Sequence, residues 1–418
     1  MKKNMHKIQI IDSIMGSGKS TWMINYINSH PEQQYLIVVP YLSEVNRYME
    51  STINISTFEP KNWDKSKIDD FKQLIIDRKN IITTHQLIKK IDEECLGLLQ
   101  LQDYHLIIDE ALDVVEKLDI MNDDLKIILN NNYITVSENG YVKWNNKNQD
   151  ANTYNGDLFE DIKKYTTLNS LMIGSGNASK NTILIWNYPY KFFQCFNKCH
   201  ILTYLWDGAI QKYYFKLHNI QYEHLSLQEG RLVPYNYYLD IAERKKYRSL
   251  ITVLEDKKLN AIGNKTSRAM PLSSTWYSKH KNNDEMKILR NNLYNFFRHK
   301  AQTPMVDNMW GCYSDYQSKL KGKGYTGSNK TPCFVPINAK GINEFQHKKS
   351  LAYMVDIHCD PFILNFFSLY GITVNKEAYS LSQLIQWIWR SQIRNEEPIN
   401  LYIPSERMRK LLKDYLYF

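Results

Sequence analysis

The stretch IQIIDSIMGSGKSTWMINYINS, Ile8–Ser29, decides how the rest of the chain is read. An apolar run is followed at once by a glycine-containing turn carrying one lysine. Residues at helical spacing come next, with Trp22, Tyr26 and Ile27 able to share a face. A loop between a buried strand and a helix points backbone N–H groups into one concavity, which suits phosphate oxygens. In the pattern G-x-x-x-x-G-K-[ST], Lys19 reaches the terminal phosphates and Ser20 binds magnesium. The spelling is relaxed, because Ser13 stands at the first glycine position. Serine is small enough for the turn, and Gly16 and Gly18 keep the inner loop permissive. With Ser17 and Thr21 they complete the expected nucleotide cradle.

Outward from this stretch, strands and helices alternate. QYLIVVPY reads as a second strand, LSEVNRYMES as a helix, KNIITTHQLIKKI as a strand entering a helix, and DYHLIIDEAL as a further strand. The strands are apolar through their length, the pattern of a parallel sheet covered on both faces. The last one ends in Asp109-Glu110, two acids at the carboxyl edge where open α/β sheets bind ligands. Asp109 suits magnesium held through water, and Glu110 suits orienting or deprotonating the attacking water. Acids there can also simply cap the following helix. The acid pair taken with the lysine loop favours the nucleotide reading.

The chain has 418 residues, enough for two or three domains with cores of their own. Its net charge of +9 fits a nucleic-acid partner without requiring one. Six cysteines include no C-x-x-C pair, which argues against a disulfide framework or a structural zinc site. MKKNMHKIQIID lacks the apolar core of a signal peptide, and no later run is long enough to span a bilayer. A reduced, cytoplasmic protein is expected.

Between Asp113 and Lys191 the order is less regular. NNYITVSENGYVKWNN alternates around ENG and reads as a hairpin insertion. KNTILIWNYPYKFFQCFNK mixes aromatics with lysines, and sheet packing is favoured over base stacking. A strand over Cys199–Leu202 ends at Thr203, a hydroxyl beside the acids that suits sensing the nucleotide state.

In order, the lysine loop, VVPYLSEV, ITTHQLI, IIDEA and HILTYL resemble the first motor domain of superfamily 2 helicases of the DEAD/DEAH-like kind. The resemblance covers roughly residues 8 to 215. It implies nucleic-acid contacts at Pro40, Thr84 and His85, and a coupling role for Thr203. It also implies a second domain of similar fold that lends arginines to the nucleotide.

The second half reads as another α/β pattern, with strands in RSLITVLEDKKL, TPCFVPIN, LAYMVDIHC and EEPINLYIP. Gln386, Arg390 and Arg394 are spaced by four and are expected on one helical face, with Trp387 and Trp389 flanking them. That face resembles the family's Gln-x-x-Gly-Arg-x-x-Arg motif, although Trp389 replaces the small residue and the second arginine comes one residue late. The resemblance implies Arg390 on the phosphate with Arg394 as helper, since guanidinium forks suit phosphate oxygens. It also implies nucleotide and strand contacts around Asn338 and Gly341. The lysines of QSKLKGKGYTGSNK, Lys319, Lys321 and Lys323 among them, can lie along a phosphate backbone or merely solubilise a surface turn. The C-terminal segment is similar to the end of phage-encoded helicase-like proteins.

The expected fold is α/β, two tandem RecA-like parallel-sheet domains with a nucleotide cleft between them. Residues 1–235 form the first, with a hairpin insertion near 130–150, and 236–418 the second, with a basic loop near 317–330. The expected function is an ATP- and Mg2+-dependent translocase or helicase on nucleic acid, DNA favoured over RNA, in phage replication or recombination. Two rivals remain: a terminase-like packaging motor, for which no clustered nuclease acids are visible, and a nucleotide-controlled binding or loading protein.

Overall fold

The computed structural model describes residues 7–62, 66–147, 157–175, 182–264, 270–328, 331–337 and 344–417. Asn338 and Gly341 lie outside them. Contacts divide the chain into two units. The first comprises residues 1–12, 19–234 and 360–374, and the second comprises 13–18, 235–359 and 375–418. This grouping differs from two contiguous halves, because the segment Asp360–Val374 packs with the first unit.

The first unit opens with β1 (Lys7–Asp12), β2 (Gln34–Val39), β3 (Thr57–Phe58), β4 (Asn80–Thr84) and β5 (Tyr104–Asp109). An inserted region follows: β6 (Val115–Lys117), β7 (Ile134–Val136), β8 (Val142–Trp144), β9 (Leu171–Ser175) and β10 (Thr182–Asn187). The chain then returns through β11 (Lys198–Thr203), β12 (Glu223–Gln228) and β13 (Arg231–Pro234). Among the described residues the main sheet has eight strands in the order β13-β12-β1-β11-β5-β2-β4-β3. All neighbours are parallel except the β12–β13 edge pair.

Burial explains why these runs are strands. Leu36–Val39 and Leu106–Ile108 are fully buried, and only a sheet covered on both faces can hide consecutive β-branched side chains. On one face, Met23, Ile24 and Ile27 of the helix Lys19–Ser29 pack on Ile11, Ile37 and Ile107. Each such side chain contributes about 1.5–3 kcal/mol on burial. Helix starts are set by local caps. Ser66 accepts a hydrogen bond from the Asp69 amide, and Asp92 from the Cys95 amide.

The insertion builds a core of its own from Leu125, Ile128, Val142, Phe159, Ile162 and Leu184. β7 and β8 form an antiparallel hairpin, with Gly140 in the left-handed region at φ 81°. The aromatic run after β10 is packing, since Phe192, Phe193 and Phe196 are buried. The helix Pro361–Leu369, capped by Asp360, also belongs here, and the Tyr370 hydroxyl donates to the Ile173 carbonyl at 3.1 Å.

The second unit holds β14 (Ile251–Val253), β15 (Asn308–Gly311), β16 (Ser350–Tyr353) and β17 (Ile399–Tyr402). Among the described residues they form a parallel sheet in the order β14-β17-β16-β15. The edge strand is not the expected CFVP run but Asn308–Gly311. Among the described residues Cys333–Val335 pairs with it through one isolated bridge, between Trp310 and Phe334. Pro332 and Pro336 bracket that run and limit its ladder.

Candidate active site

β1, β11 and β5 lie side by side, and their register sets the site. Asp12 pairs with Thr203, and Leu202 pairs with Asp109, so the hydroxyl of Thr203 ends a strand flanked by two acid-terminated ones. Ser13–Gly18 connects β1 to the helix that starts at Lys19, and a turn closes it through Ser17 N–H to the Ile14 carbonyl, 3.2 Å. Gly16 and Gly18 have φ of 88° and 84°, a region that L side chains rarely adopt, so both positions require glycine. Ser13, at the relaxed position of the pattern, is buried.

Within the first unit, Ser20 and Asp109, 89 residues apart, meet: the Ser20 hydroxyl donates to Asp109 Oδ2 at 3.0 Å. The same oxygen accepts the Tyr48 hydroxyl at 2.9 Å and lies 3.4 Å from Arg47 Nη2. Burial and then the Asp109 carboxylate push the Tyr48 phenol well above its ordinary value, so it remains a donor. Burial opposes the Arg47 charge, but Tyr48, Glu44 and Asp109 outweigh it and hold the guanidinium above its ordinary value. Arg47 also bonds Glu44 through Nε at 2.7 Å.

Sequence reasoning missed Tyr48 and Arg47. The available signal was Glu44, Arg47 and Tyr48 at i, i+3 and i+4 in the helix Leu42–Ser51, three polar-tipped residues on the buried side of an amphipathic helix.

Glu110 has φ 74°, uncommon for a side chain that is neither glycine nor asparagine. Its amide donates to the Leu202 carbonyl at 3.0 Å, which fixes the turn off β5. The next anchor is Leu112, whose amide donates to Gln211 Oε1 at 2.9 Å. This backbone swings the glutamate out of the ladder instead of continuing the strand.

The donor set suits magnesium. That ion takes oxygen ligands, keeps several waters and uses only one or two protein groups. A serine hydroxyl and a carboxylate oxygen 3.0 Å apart fit that requirement. Among the described residues no group of three or more His, Cys, Asp or Glu offers a denser alternative.

Other expected residues are placed differently from expectation. The helix Lys376–Ile388 carries Gln386 but stops with Trp389 as its C-cap, so Arg390 and Arg394 do not share its face. Arg390 follows the helix and is buried, while Arg394 sits in a separate short 3-10 turn, Gln392–Asn395. The break lies at Ser391, whose extended backbone (ψ −174°) ends the helix and whose hydroxyl caps the next turn. Trp387 and Trp389 are buried core residues. Pro40 and His85 are buried and Thr84 is half-exposed. The basic loop is a pinned turn. Buried Tyr325 donates to the Leu320 carbonyl at 2.5 Å, and the Thr326 hydroxyl bonds the Gly322 carbonyl at 2.6 Å. Lys319, Lys321 and Lys323 are exposed on it.

Two domain families match: the YonV middle domain over residues 115–186 and the YonV C-terminal Rossmann-like domain over residues 245–416. A solved structure described as "Structure of S. tokodaii Xpd4" aligns with TM-score 0.50 at 10% identity, covering 98% of this chain and 94% of that one. A second, "XPD_APO", aligns with TM-score 0.49 at 13% identity over 98% and 96%. The Xpd4 likeness is one of fold alone, a shared α/β architecture. The "SPbeta prophage-derived uncharacterized protein YonV" of Bacillus subtilis (strain 168) is 35% identical over 425 residues, covering 99% of both chains. On that similarity, which runs the length of the sequence, the chain belongs to the YonV family.

Proposed function

We propose that the chain is an ATP-hydrolysing nucleic-acid translocase or helicase of phage origin, with DNA favoured over RNA. The observation that carries the reading is the meeting of Ser20 with Asp109 at 3.0 Å, beside the lysine-bearing helix start. The XPD-like fold and the prophage relative support it. A magnesium ion held there would supply positive charge that offsets that of the phosphates. Ser20 and Asp109 would hold it, with Tyr48 fixing the carboxylate. Backbone amides of the Ser13–Gly18 loop would cradle the phosphates, and Lys19 would take up charge that develops on the terminal one. Glu110, aimed by its left-handed backbone, would orient the attacking water and accept its proton. Arg390 and Arg394 are proposed as further phosphate contacts, and Thr203 as the residue that links hydrolysis to movement. The contacts at Pro40, Thr84, His85, Lys319, Lys321 and Lys323 remain part of the proposal, with Thr84 and the three exposed lysines the accessible ones.

The test is phosphate release from ATP with no polymer, single-stranded DNA, duplex DNA, forked DNA and RNA in parallel. Turnover stimulated by strand, and lowered about 100-fold or more in K19A and E110Q, is expected. Normal turnover in either variant would refute the reading.

A further inference from the structure

The inserted region carries a surface cavity of about 360 Å³, and none of the residues assigned to the nucleotide site lines it. Its lining includes Lys143, Trp144, Asn146, Lys163, Thr167 and Asn169. We infer that this cavity binds a segment of single-stranded nucleic acid, with phosphates on the two lysines and a base against the indole.

The chemistry of the wall is selective. Two ammonium groups, one indole, two carboxamides and two hydroxyls line it, and among the described residues no carboxylate does. Lys163 pairs with the exposed Glu160 at 2.8 Å. A phosphate can take the place of such a solvent-exposed carboxylate at little cost, since exposed pairs contribute only about 0–1 kcal/mol. Lys163 is held 5.2 Å from the Trp144 ring centroid, so its charge is already positioned before a ligand arrives. Trp144 is itself braced by Phe159, edge to face at 6.3 Å, and packs on the insertion core. A braced aromatic beside fixed cations is the arrangement by which single strands are bound without sequence preference. The carboxamides of Asn146 and Asn169 can hydrogen-bond base edges. β8 supplies Lys143 and Trp144 and the helix Asp157–Thr167 supplies Lys163 and Thr167, so regular elements present the cations and the indole, while Asn146 and Asn169 follow in the adjoining turns.

This inference deepens the translocase reading by giving it a strand contact outside the ATPase core, and its experiment is read without ATP. Full-length protein is mixed with oligo(dT), oligo(U), ATP or inorganic phosphate. Binding is followed by anisotropy across a salt series, and oligo(dT) carrying 5-iodouracil is photocrosslinked and mapped by peptide mass. A crosslink at Trp144 is expected. K143A/K163A should weaken oligomer binding about tenfold and lower the salt slope by about 1.4, two phosphates at roughly 0.7 each. N146D, at an exposed position, should weaken binding in the same direction and guards against a folding defect in the double variant. Crosslinks confined to other regions, or an unchanged slope in both variants, would overturn the inference. So would crosslinking suppressed equally by ATP or inorganic phosphate, which would mark a small-anion site. Loss of ATP turnover in K19A, together with an unchanged salt slope in the cavity variants and no Trp144 crosslink, would leave the motor reading standing and this one fallen. The converse pattern would do the reverse.

Discussion

Asp109 and Asp356 make an instructive pair. Each lies at or just past the carboxyl end of a parallel strand, β5 in the first unit and β16 in the second, and each is buried. Their surroundings differ. Asp109 accepts from a serine and a tyrosine hydroxyl, with a guanidinium at 3.4 Å. Asp356 is closed off by Arg407 Nη1 at 3.2 Å and His358 Nε2 at 3.2 Å. Arg407 also bonds the Ile357 carbonyl, His358 Nδ1 and the Ser380 hydroxyl. The two hydroxyls at Asp109 are neutral donors, and Arg47 Nη2 lies closer to Glu44, at 2.6 Å, than to Asp109, so the first acid can still attract a cation. The second is already neutralised by a guanidinium locked in four directions, and it serves to hold strand ends and helices together. The same position on the same kind of sheet edge is therefore left open to a cation in one unit and closed by a guanidinium in the other.

The largest effect expected is on turnover. D109N should reduce ATP hydrolysis about 100-fold while shifting thermal unfolding little, because asparagine keeps the shape and can still bond both hydroxyls. D356N should do the converse. A D356N protein with normal stability and no turnover would erase the distinction between the two acids.

Next in size is the second unit's lock. R407A leaves Asp356 buried without its guanidinium and should cost about 2–3 kcal/mol in urea unfolding. That lies at the low end for a buried pair because the arginine side chain is 26% exposed. A midpoint unchanged from wild type would show that the lock holds nothing.

Acid should act on the first unit. His105 Nε2 lies 2.7 Å from His200 Nδ1, and burial first, then His200, Lys198 and His30, holds His105 down at about 2. Its folded value is below the unfolded one of about 6.5, so the unfolded chain binds the extra proton. Stability is therefore fully present above about pH 6.5 and declines as the pH falls towards the folded value, by up to about 1.4 kcal/mol per pH unit for this one proton. Hydrogen exchange at pH 5 and 7.5 should show the amides of Tyr104–Asp109 losing protection before those of Ser350–Tyr353. Equal loss in both strands would count against it.

The smallest effect sharpens the description of the first acid. Y48F deletes one hydrogen bond to Asp109, about 1 kcal/mol, without opening a cavity. It should raise the magnesium concentration needed for half-maximal turnover about tenfold, with the maximum largely kept. A lowered maximum at unchanged magnesium demand would assign Tyr48 a different role.

How legible all this was follows the range of the interactions. The lysine loop and the Asp109-Glu110 step are written in consecutive residues between an apolar run and a helix, so local pattern was enough to find them. Tyr48 and Arg47 reach Asp109 from a helix some 60 residues earlier, and only the parallel order β5-β2 brings that helix over the acid. The arginine helix was read too long, because spacing by four continues through Trp389 while the break at Ser391 depends on backbone bonding that residue types do not announce. Asn308–Gly311 escaped notice because four residues ending in glycine carry almost no alternation, and pairing with β16 is what makes them a strand. The cavity of the insertion needed both a hairpin and a helix to exist at all.

The excursion of Asp360–Val374 into the first unit has a practical reach. Phe366 and Phe367 are fully buried there, with Phe367 6.1 Å from the Tyr213 ring. A gene truncated after Pro234 would yield a product stripped of this fifteen-residue plug, and the complementary C-terminal product would carry greasy phenylalanines with nowhere to go. Dissection would therefore succeed by co-expressing both pieces, or by grafting the plug onto the shorter one through a designed tether.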